Sequence, residues 1–318
     1  MWPMKNFIKW HLRWTLRPII KDLKYFRQLS FYLLTRKNIS EKPLIKQYRE
    51  GLSPSYERPV CLFCSYDKDN TVKESVYYYL NALKLAGFDI IFISTSETIV
   101  DEDLEKLSGY CIRIMNRENR GYDFYGWKTA LEKYPQYKLH SGLLLANDSV
   151  LGPLFDISDI IGRLENCNAD IIGMTNSFQF HPHLQSYFLY CKRNVVLSEE
   201  FTRFFHNVEV LELKIAIIRK YEVGFSRLLG RRFRVMALFD LKQLVTRVGY
   251  YEKPIKWVNP FLFWKPLITE FKFPFLKRSL LTGKKVQDRG DIPTILAGYT
   301  NYDLDILTDC LPSYFAKN

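Results

Sequence analysis

From Arg58 to Thr175 the sequence alternates short apolar runs with stretches of helical period, and this alternation restricts the fold more than any other feature. Val60–Ser65, Asp89–Thr95, Tyr110–Met115, Gly142–Ala146 and Ala169–Thr175 have the length and near-continuous apolarity of strands buried on both faces. Between them, residues 72–87, 100–107, 123–134 and 157–165 read as helices. The first of these places Val72, Val76, Tyr79, Leu80 and Leu83 on its apolar positions and ends at Gly87. Strands alternating with helices predict an α/β fold with a mostly parallel sheet flanked by helices. Beyond about residue 177 the text turns aromatic-rich, with helices predicted over 198–205 and 212–230 and a strand over 232–238. A chain of 318 residues, 47% hydrophobic, has ample material for one large core.

In such sheets ligands bind beyond the carboxyl ends of the strands, where loops carry polar groups and helix N-termini face the ligand. The polar residues fall at those ends: Ser65-Tyr66-Asp67, Ser94-Thr95-Ser96, Asn116 to Asp123, and Asn147-Asp148-Ser149. The last triplet interrupts the run GLLLANDSVLGPL, and a carboxylate at the mouth of a core strand is costly to desolvate unless something pairs with it. The connection Asn116-Arg-Glu-Asn-Arg-Gly-Tyr-Asp123 crowds Arg117 and Arg120 together, a placement suited to phosphate oxygens. Its Gly121 accepts a positive φ, and Asp123 is placed to cap the next helix.

Several chemistries lose their motif support. The sequence has no GxGxxG after the first strand, no GxxxxGK[ST], no GxSxG and no HExxH. Its six cysteines, Cys61, Cys64, Cys111, Cys167, Cys191 and Cys310, lie scattered in apolar stretches and read as reduced thiols. Cys61 and Cys64 form a CxxC on a strand, where residues three apart face opposite sides. His181-Pro-His183 reads as a loop pair rather than a metal site. The aromatic segment Trp257 to Pro266 reads as core first and as a sugar-stacking platform second, and no RNA-binding signature accompanies it, so nucleic acid is not an expected partner.

The formal charge of +12 is concentrated at the N-terminus: residues 1–50 hold twelve Lys and Arg against Asp22, Glu41 and Glu50. Read as a helix, Ile8, Leu12, Leu16, Ile19, Leu23 and Phe26 form an apolar row beside Lys9, Arg13, Arg17, Lys21 and Lys24. Such a segment fits either an anionic membrane face or packing on its own domain or a partner. No run approaches the ~18–20 apolar residues of a membrane span, and no signal sequence is apparent, so a cytoplasmic protein is expected. The chain divides into a basic amphipathic helical segment (1–50), an α/β domain (58–285) and a C-terminal extension (286–318).

The motifs NRGYDFYGWK, LLLANDSVLGPL, QSYFLYCKR, KYEVGFSRLL and NPFLFWKPLI…FPFLKRSLL, in that order over Pro59 to Leu281, resemble the rhamnan synthesis F family of bacterial polysaccharide glycosyltransferases. The resemblance implies a GT-A-like nucleotide-sugar fold and transfer of a sugar, L-rhamnose from dTDP-rhamnose, to a lipid-linked cell-surface glycan precursor at the inner face of the membrane. By the same resemblance Asn147-Asp148-Ser149 takes the place of the Asp-x-Asp motif, with Asp148 and Ser149 as ligands for Mg²⁺ or Mn²⁺. Only the middle residue is acidic, a departure that lowers the charge available to a cation. Tyr66 and Asp67 would border the base, and Asn119, Arg120, Gly121 and Asp123 the donor sugar and phosphates. Inverting transfer requires a general base, for which Glu222 is the candidate beside its reading as a solvated helix residue. A non-catalytic glycan- or partner-binding subunit and a basic peripheral scaffold are the competing readings.

Overall fold

The computed structural model describes residues 20, 23–32, 34–35, 43–250, 252–282 and 291–310. The strands are β1 (Ile45–Glu50), β2 (Val60–Ser65), β3 (Asp89–Ser94), β4 (Arg113–Arg117), β5 (Gly142–Asn147), β6 (Val150–Leu151), β7 (Ile171–Ser177), β8 (His183–Leu184), β9 (Phe188–Lys192), β10 (Val235–Phe239) and β11 (Leu276–Lys277). The main sheet runs β1-β4-β3-β2-β5-β9-β7-β10, with β8 attached to β7. Strands β4, β3, β2 and β5 are mutually parallel, as are β7 and β10. Strand β9 runs opposite to both β5 and β7, and β1 opposite to β4. A mostly parallel mixed sheet flanked by helices is therefore the architecture, and β2, β3, β4, β5, β7 and β10 all end at one edge.

Every residue of β2, β3 and β5 is buried, as expected of strands covered on both faces. Alternation sorts their side chains into two cores. Cys61, Phe63, Ile90, Phe92, Leu144 and Ala146 face one, and Val60, Leu62, Cys64, Ile91, Ile93, Leu143 and Leu145 the other. The two cysteines of the CxxC therefore point to opposite sides, and burial pushes both thiols up. The helix Tyr122–Lys133 locks onto the sheet through Trp127, whose indole N–H donates to the Leu62 carbonyl at 3.1 Å.

Three departures from the expected elements matter. The third strand is Arg113–Arg117 rather than 110–115, because Tyr110 to Ile112 instead carry the chain into the sheet, with Ile112 N–H donating to the Ile90 carbonyl. Residues 45–50, within the segment assigned as amphipathic helix, form edge strand β1. The helical run predicted over 212–230 contains a π-helical turn, Ile218–Glu222. Most of the N-terminal apolar row, including Ile8, Leu12 and Leu16, lies outside the described residues, as does most of the basic row beside it. Of that segment, residues 23–32 are helical, Leu29 and Tyr32 pack on the domain, and the Tyr32 hydroxyl accepts from the Glu212 N–H at 2.9 Å.

Candidate functional site

Strand β5 delivers the triplet to the sheet edge, half-buried at Asp148 and Ser149. Asp148 Oδ2 accepts from the Ser65 hydroxyl (2.8 Å) and the Tyr66 N–H (3.1 Å), so the ends of β2 and β5 are joined through this carboxylate. Asn147 Nδ2 donates to Asp123 Oδ2 at 2.9 Å, while its Oδ1 accepts from the Ser149 N–H and hydroxyl. Asp123 does not cap its helix; the N-cap is Gly121, at φ +80°, and the carboxylate turns toward the triplet instead.

A short antiparallel pairing completes the cluster. Strand β11 lies against β6, with Lys277 opposite Val150, and the Arg278 N–H donates to the Ser149 carbonyl. The approach is close: a Cβ on Gly152, which sits at φ +138°, would collide with the carbonyl oxygen of Pro274. Lys277 Nζ donates to Ser149 Oγ at 2.7 Å and lies 5.0 and 5.7 Å from the ring centres of Tyr187 and Phe261. Arg278 Nε donates to the Asp148 carbonyl at 2.6 Å and its Nη2 to Ser75 Oγ at 2.8 Å.

Glu222, the last residue of the π-helical turn, lies near enough for its charge to act on Asp123 and Lys277, and widened turns of this kind recur at functional sites. Its Oε1 accepts from the Ser186 hydroxyl, and His183 Nε2 lies 3.9 Å from Oε2. The electrostatics tie these groups together. Burial, then the charge of Asp148, pushes the Asp123 carboxyl up to about 6, against the pull of Lys277 and Arg117. Burial likewise raises Asp148 above the usual carboxylate range, although Arg278, the Tyr66 N–H and the Ser65 hydroxyl favour its charged form. Lys277 is drawn down by burial to about 8, while Glu222, Asp123 and Asp148 favour its ammonium.

The structure thus gathers Tyr66, Asp123, Asn147, Asp148 and Ser149 by direct hydrogen bonds, with Glu222 held nearby on Ser186. Asp67 is at the same edge, but its Oδ1 accepts from the Asp69 N–H at 2.8 Å and its Oδ2 lies 3.5 Å from Lys73, so its own turn and a lysine occupy it. Asn119 is exposed on its loop. Arg120 sits between Glu118 and Glu212, at 4.0 and 3.9 Å. Arg117 is not a phosphate ligand: its guanidinium is fully buried and donates to the carbonyls of Glu118, Arg120 and Tyr122, bracing the loop from inside. His183 is buried beside Glu222, and Phe261, Phe263 and Trp264 are core, while Trp257 lines a groove with Phe178, Phe180 and Arg219. A larger groove of about 1350 Å³ follows edge strand β10 and approaches the cluster at His183.

Lys277 and Arg278 were missed by residue-level reasoning, although they stand in the FPFLKRSLL motif as two cations closing an apolar run. Among the described residues, no three His, Cys, Asp or Glu side chains form a group that would hold a metal ion.

Carboxylates and half-buried cations thus gather at the carboxyl edge of a mostly parallel α/β sheet. The family model for rhamnan synthesis protein F matches residues 90–314, and the chain belongs to that family. An uncharacterized protein of Sinorhizobium fredii, y4gN, is 29% identical over 159 residues, which are 48% of this chain and 41% of the relative. The chain thus spans about two fifths of the length of that curated relative. Among solved structures, it is similar to the glycosyltransferase GlyE of Streptococcus pneumoniae, with 12% identity, a TM-score of 0.43, and coverage of 82% of this chain and 64% of that one. It is also similar to the mannosyltransferase PcManGT of Pyrobaculum calidifontis, solved with GDP-Man and Mn²⁺, with 9% identity, a TM-score of 0.39, and coverage of 97% and 95%.

Proposed function

We propose that this protein is an inverting glycosyltransferase that moves L-rhamnose from dTDP-rhamnose onto a lipid-linked precursor of a cell-surface polysaccharide. The observation that carries the reading is the cluster of Asp148 and Asp123 at the carboxyl edge of the sheet, linked through Asn147 of the triplet, in a member of the rhamnan synthesis F family. The donor's base lies by Tyr66, whose side chain is exposed, and Asp67 borders it. The diphosphate faces the triplet, and Asn119, Arg120 and Gly121 flank the sugar.

Glu222 accepts the proton of the acceptor hydroxyl as that oxygen bonds to the anomeric carbon. The bond from this carbon to the diphosphate breaks, and its electron pair leaves with the nucleotide. The hydrogen bond from Ser186 orients the base, and general-base assistance of this kind contributes ~10²–10⁴ in rate. For the membrane, support comes from the helix over 23–32 and its continuation: Leu23, Phe26, Phe31 and Leu34 are 61, 62, 68 and 86% exposed, beside Lys24 and Arg27. Among the described residues no helix is long and apolar enough to cross a membrane.

A non-catalytic subunit is favoured by one observation: the triplet carries a single carboxylate, one oxygen of which is already bound by Ser65 and Tyr66. Incubating the full chain with dTDP-rhamnose and octyl α-L-rhamnoside separates the readings. The enzyme gives an α-linked product by NMR, and Asp148→Ala and Glu222→Gln lose turnover with unchanged circular dichroism. Donor binding without transfer or hydrolysis supports the subunit, and no nucleotide binding removes both.

A further inference from the structure

The donor set at the triplet does not fit a divalent ion. Mg²⁺ and Mn²⁺ take oxygen ligands, usually including carboxylates, in a nearly octahedral shell. Here Asp148 is the triplet's one acid, and its Oδ2 is shared by the Ser65 hydroxyl and the Tyr66 N–H. Ser149 Oγ, the other expected ligand, donates its proton to Asn147 Oδ1 and receives the ammonium of Lys277 at 2.7 Å. Asn147 Oδ1 is consumed by the Ser149 N–H and hydroxyl. A doubly charged ion on Ser149 would sit directly against a lysine, and like charges at that range repel strongly in a half-buried setting.

The geometry points to Lys277, in place of a metal ion, as the cation that receives the diphosphate of a nucleoside-diphosphate donor. The assignment deepens the glycosyltransferase reading above and rests on it. Three observations place the charge. The β11 to β6 pairing fixes the Lys277 backbone opposite Val150, one residue beyond the triplet, so the ammonium is positioned by main-chain hydrogen bonds rather than by a flexible loop. The rings of Tyr187 and Phe261, at 5.0 and 5.7 Å, wall the ammonium in. Among the described residues no carboxylate lies within 4 Å of Nζ, so the ammonium keeps donor capacity beyond its bond to Ser149. Arg278 positions the same segment by holding the Asp148 carbonyl and Ser75 Oγ.

In the transfer step, oxygen of the acceptor hydroxyl bonds to the anomeric carbon as its proton passes to Glu222. The bond from that carbon to the diphosphate oxygen breaks, and its electron pair goes to the diphosphate. Lys277 stabilises the developing charge by hydrogen bonding and gives up no proton. A fixed ammonium does here what a bridging cation does elsewhere, without requiring more than one acid in the triplet.

Calorimetry on the full chain with dTDP, UDP and GDP, each with EDTA and with added Mn²⁺, tests the assignment beside turnover of dTDP-rhamnose under both conditions. We expect one nucleoside diphosphate to bind in EDTA within 2-fold of its affinity in Mn²⁺, and turnover to survive chelation. Lys277→Met should weaken that diphosphate at least 30-fold while the free nucleoside binds as before, and Lys277→Arg should restore part of the loss. An unchanged melting temperature guards against unfolding; should Lys277→Met melt early, the comparison is made with Lys277→Arg and Lys277→Gln. Binding that appears only with Mn²⁺, or a Lys277→Met protein that binds as wild type, overturns the assignment and leaves the glycosyltransferase reading standing. A wild-type chain that binds none of the three under any condition overturns both.

Discussion

Asp123 is held at a cost that a single substitution should recover. Its carboxylate is half-buried near Asp148, receives among the described residues only the Asn147 amide at 2.9 Å, and is pushed up to about 6 when folded, against about 4 in an unfolded chain. Because the folded value is the higher one, the group's contribution to stability is fully present below pH about 4. It is lost as the pH rises through about 6 and stays lost at neutrality. A difference of roughly two units is worth about 2 to 3 kcal/mol at ~1.4 kcal/mol per unit. Asp123→Asn keeps the shape and still offers an oxygen to Asn147 Nδ2, but carries no charge to desolvate. For a chain of this length an entropy of ~2.1 cal/mol/K per residue converts that gain into a rise of about 3–5 °C in melting temperature.

Scanning calorimetry of wild type and Asp123→Asn from pH 4 to 8 measures this directly. The two curves should nearly coincide at pH 4 and separate to about 3–5 °C by pH 7.5, the variant being the more stable. Other titrating groups are common to both proteins and cancel in the difference. With Asp123 at the proposed donor site, the same variant should also bind donor more weakly, because it lacks a charge that the wild type holds at a cost in stability. A difference that is flat with pH, or largest at pH 4, would refute the reasoning and make Asp123 an ordinary satisfied side chain.

Three further outcomes follow from the same structure. Gly121→Ala meets Tyr125 Cβ at 2.7 Å in a backbone at φ +80°, and should cost about 1–3 kcal/mol by urea denaturation. Arg117→Met strands the carbonyls of Glu118, Arg120 and Tyr122, each a bond to a charged donor worth ~1.5–3 kcal/mol; the loss should be at least about 3 kcal/mol, with faster amide exchange in residues 118–122. Replacing Leu23, Phe26 and Leu34 together by Ser should leave the melting temperature unchanged, because all three are exposed. The same variant should reduce pelleting with anionic vesicles by at least ~10-fold, and equal pelleting removes the membrane assignment.

The fold was legible where burial is two-sided. Strands β2, β3 and β5 carry no polar residue between their ends, so their apolar runs announce them at nearly their true limits. Strand β1 was not, because an edge strand with burial on alternate positions near its start, set in a basic stretch, looks like the flank of an amphipathic helix. The polar strand ends were legible for the same reason that they matter: a carboxylate that ends an apolar run has to be paid for, and Asp148 and Asp123 are where the cost falls. Arg117 misled, since Arg117 and Arg120 are alike as letters, whereas the inward-pointing position on a strand converts one of them into a brace.

Lys277 lay beyond sequence reasoning for a physical reason. It meets Ser149 across 128 residues, through a two-residue pairing of β11 with β6 that leaves no periodic signature. A short strand of this kind is defined by its partner, and its partner is defined only once Gly152 lets the chain pass beneath Pro274. Asp148 follows β5 directly and Asp123 opens the helix after β4, so both could be found by following strands to their ends. The cation that answers them comes from the irregular part, and its place is set by tertiary contact alone. Following strands to their ends therefore finds the acids of such a cluster more readily than the cation beside them.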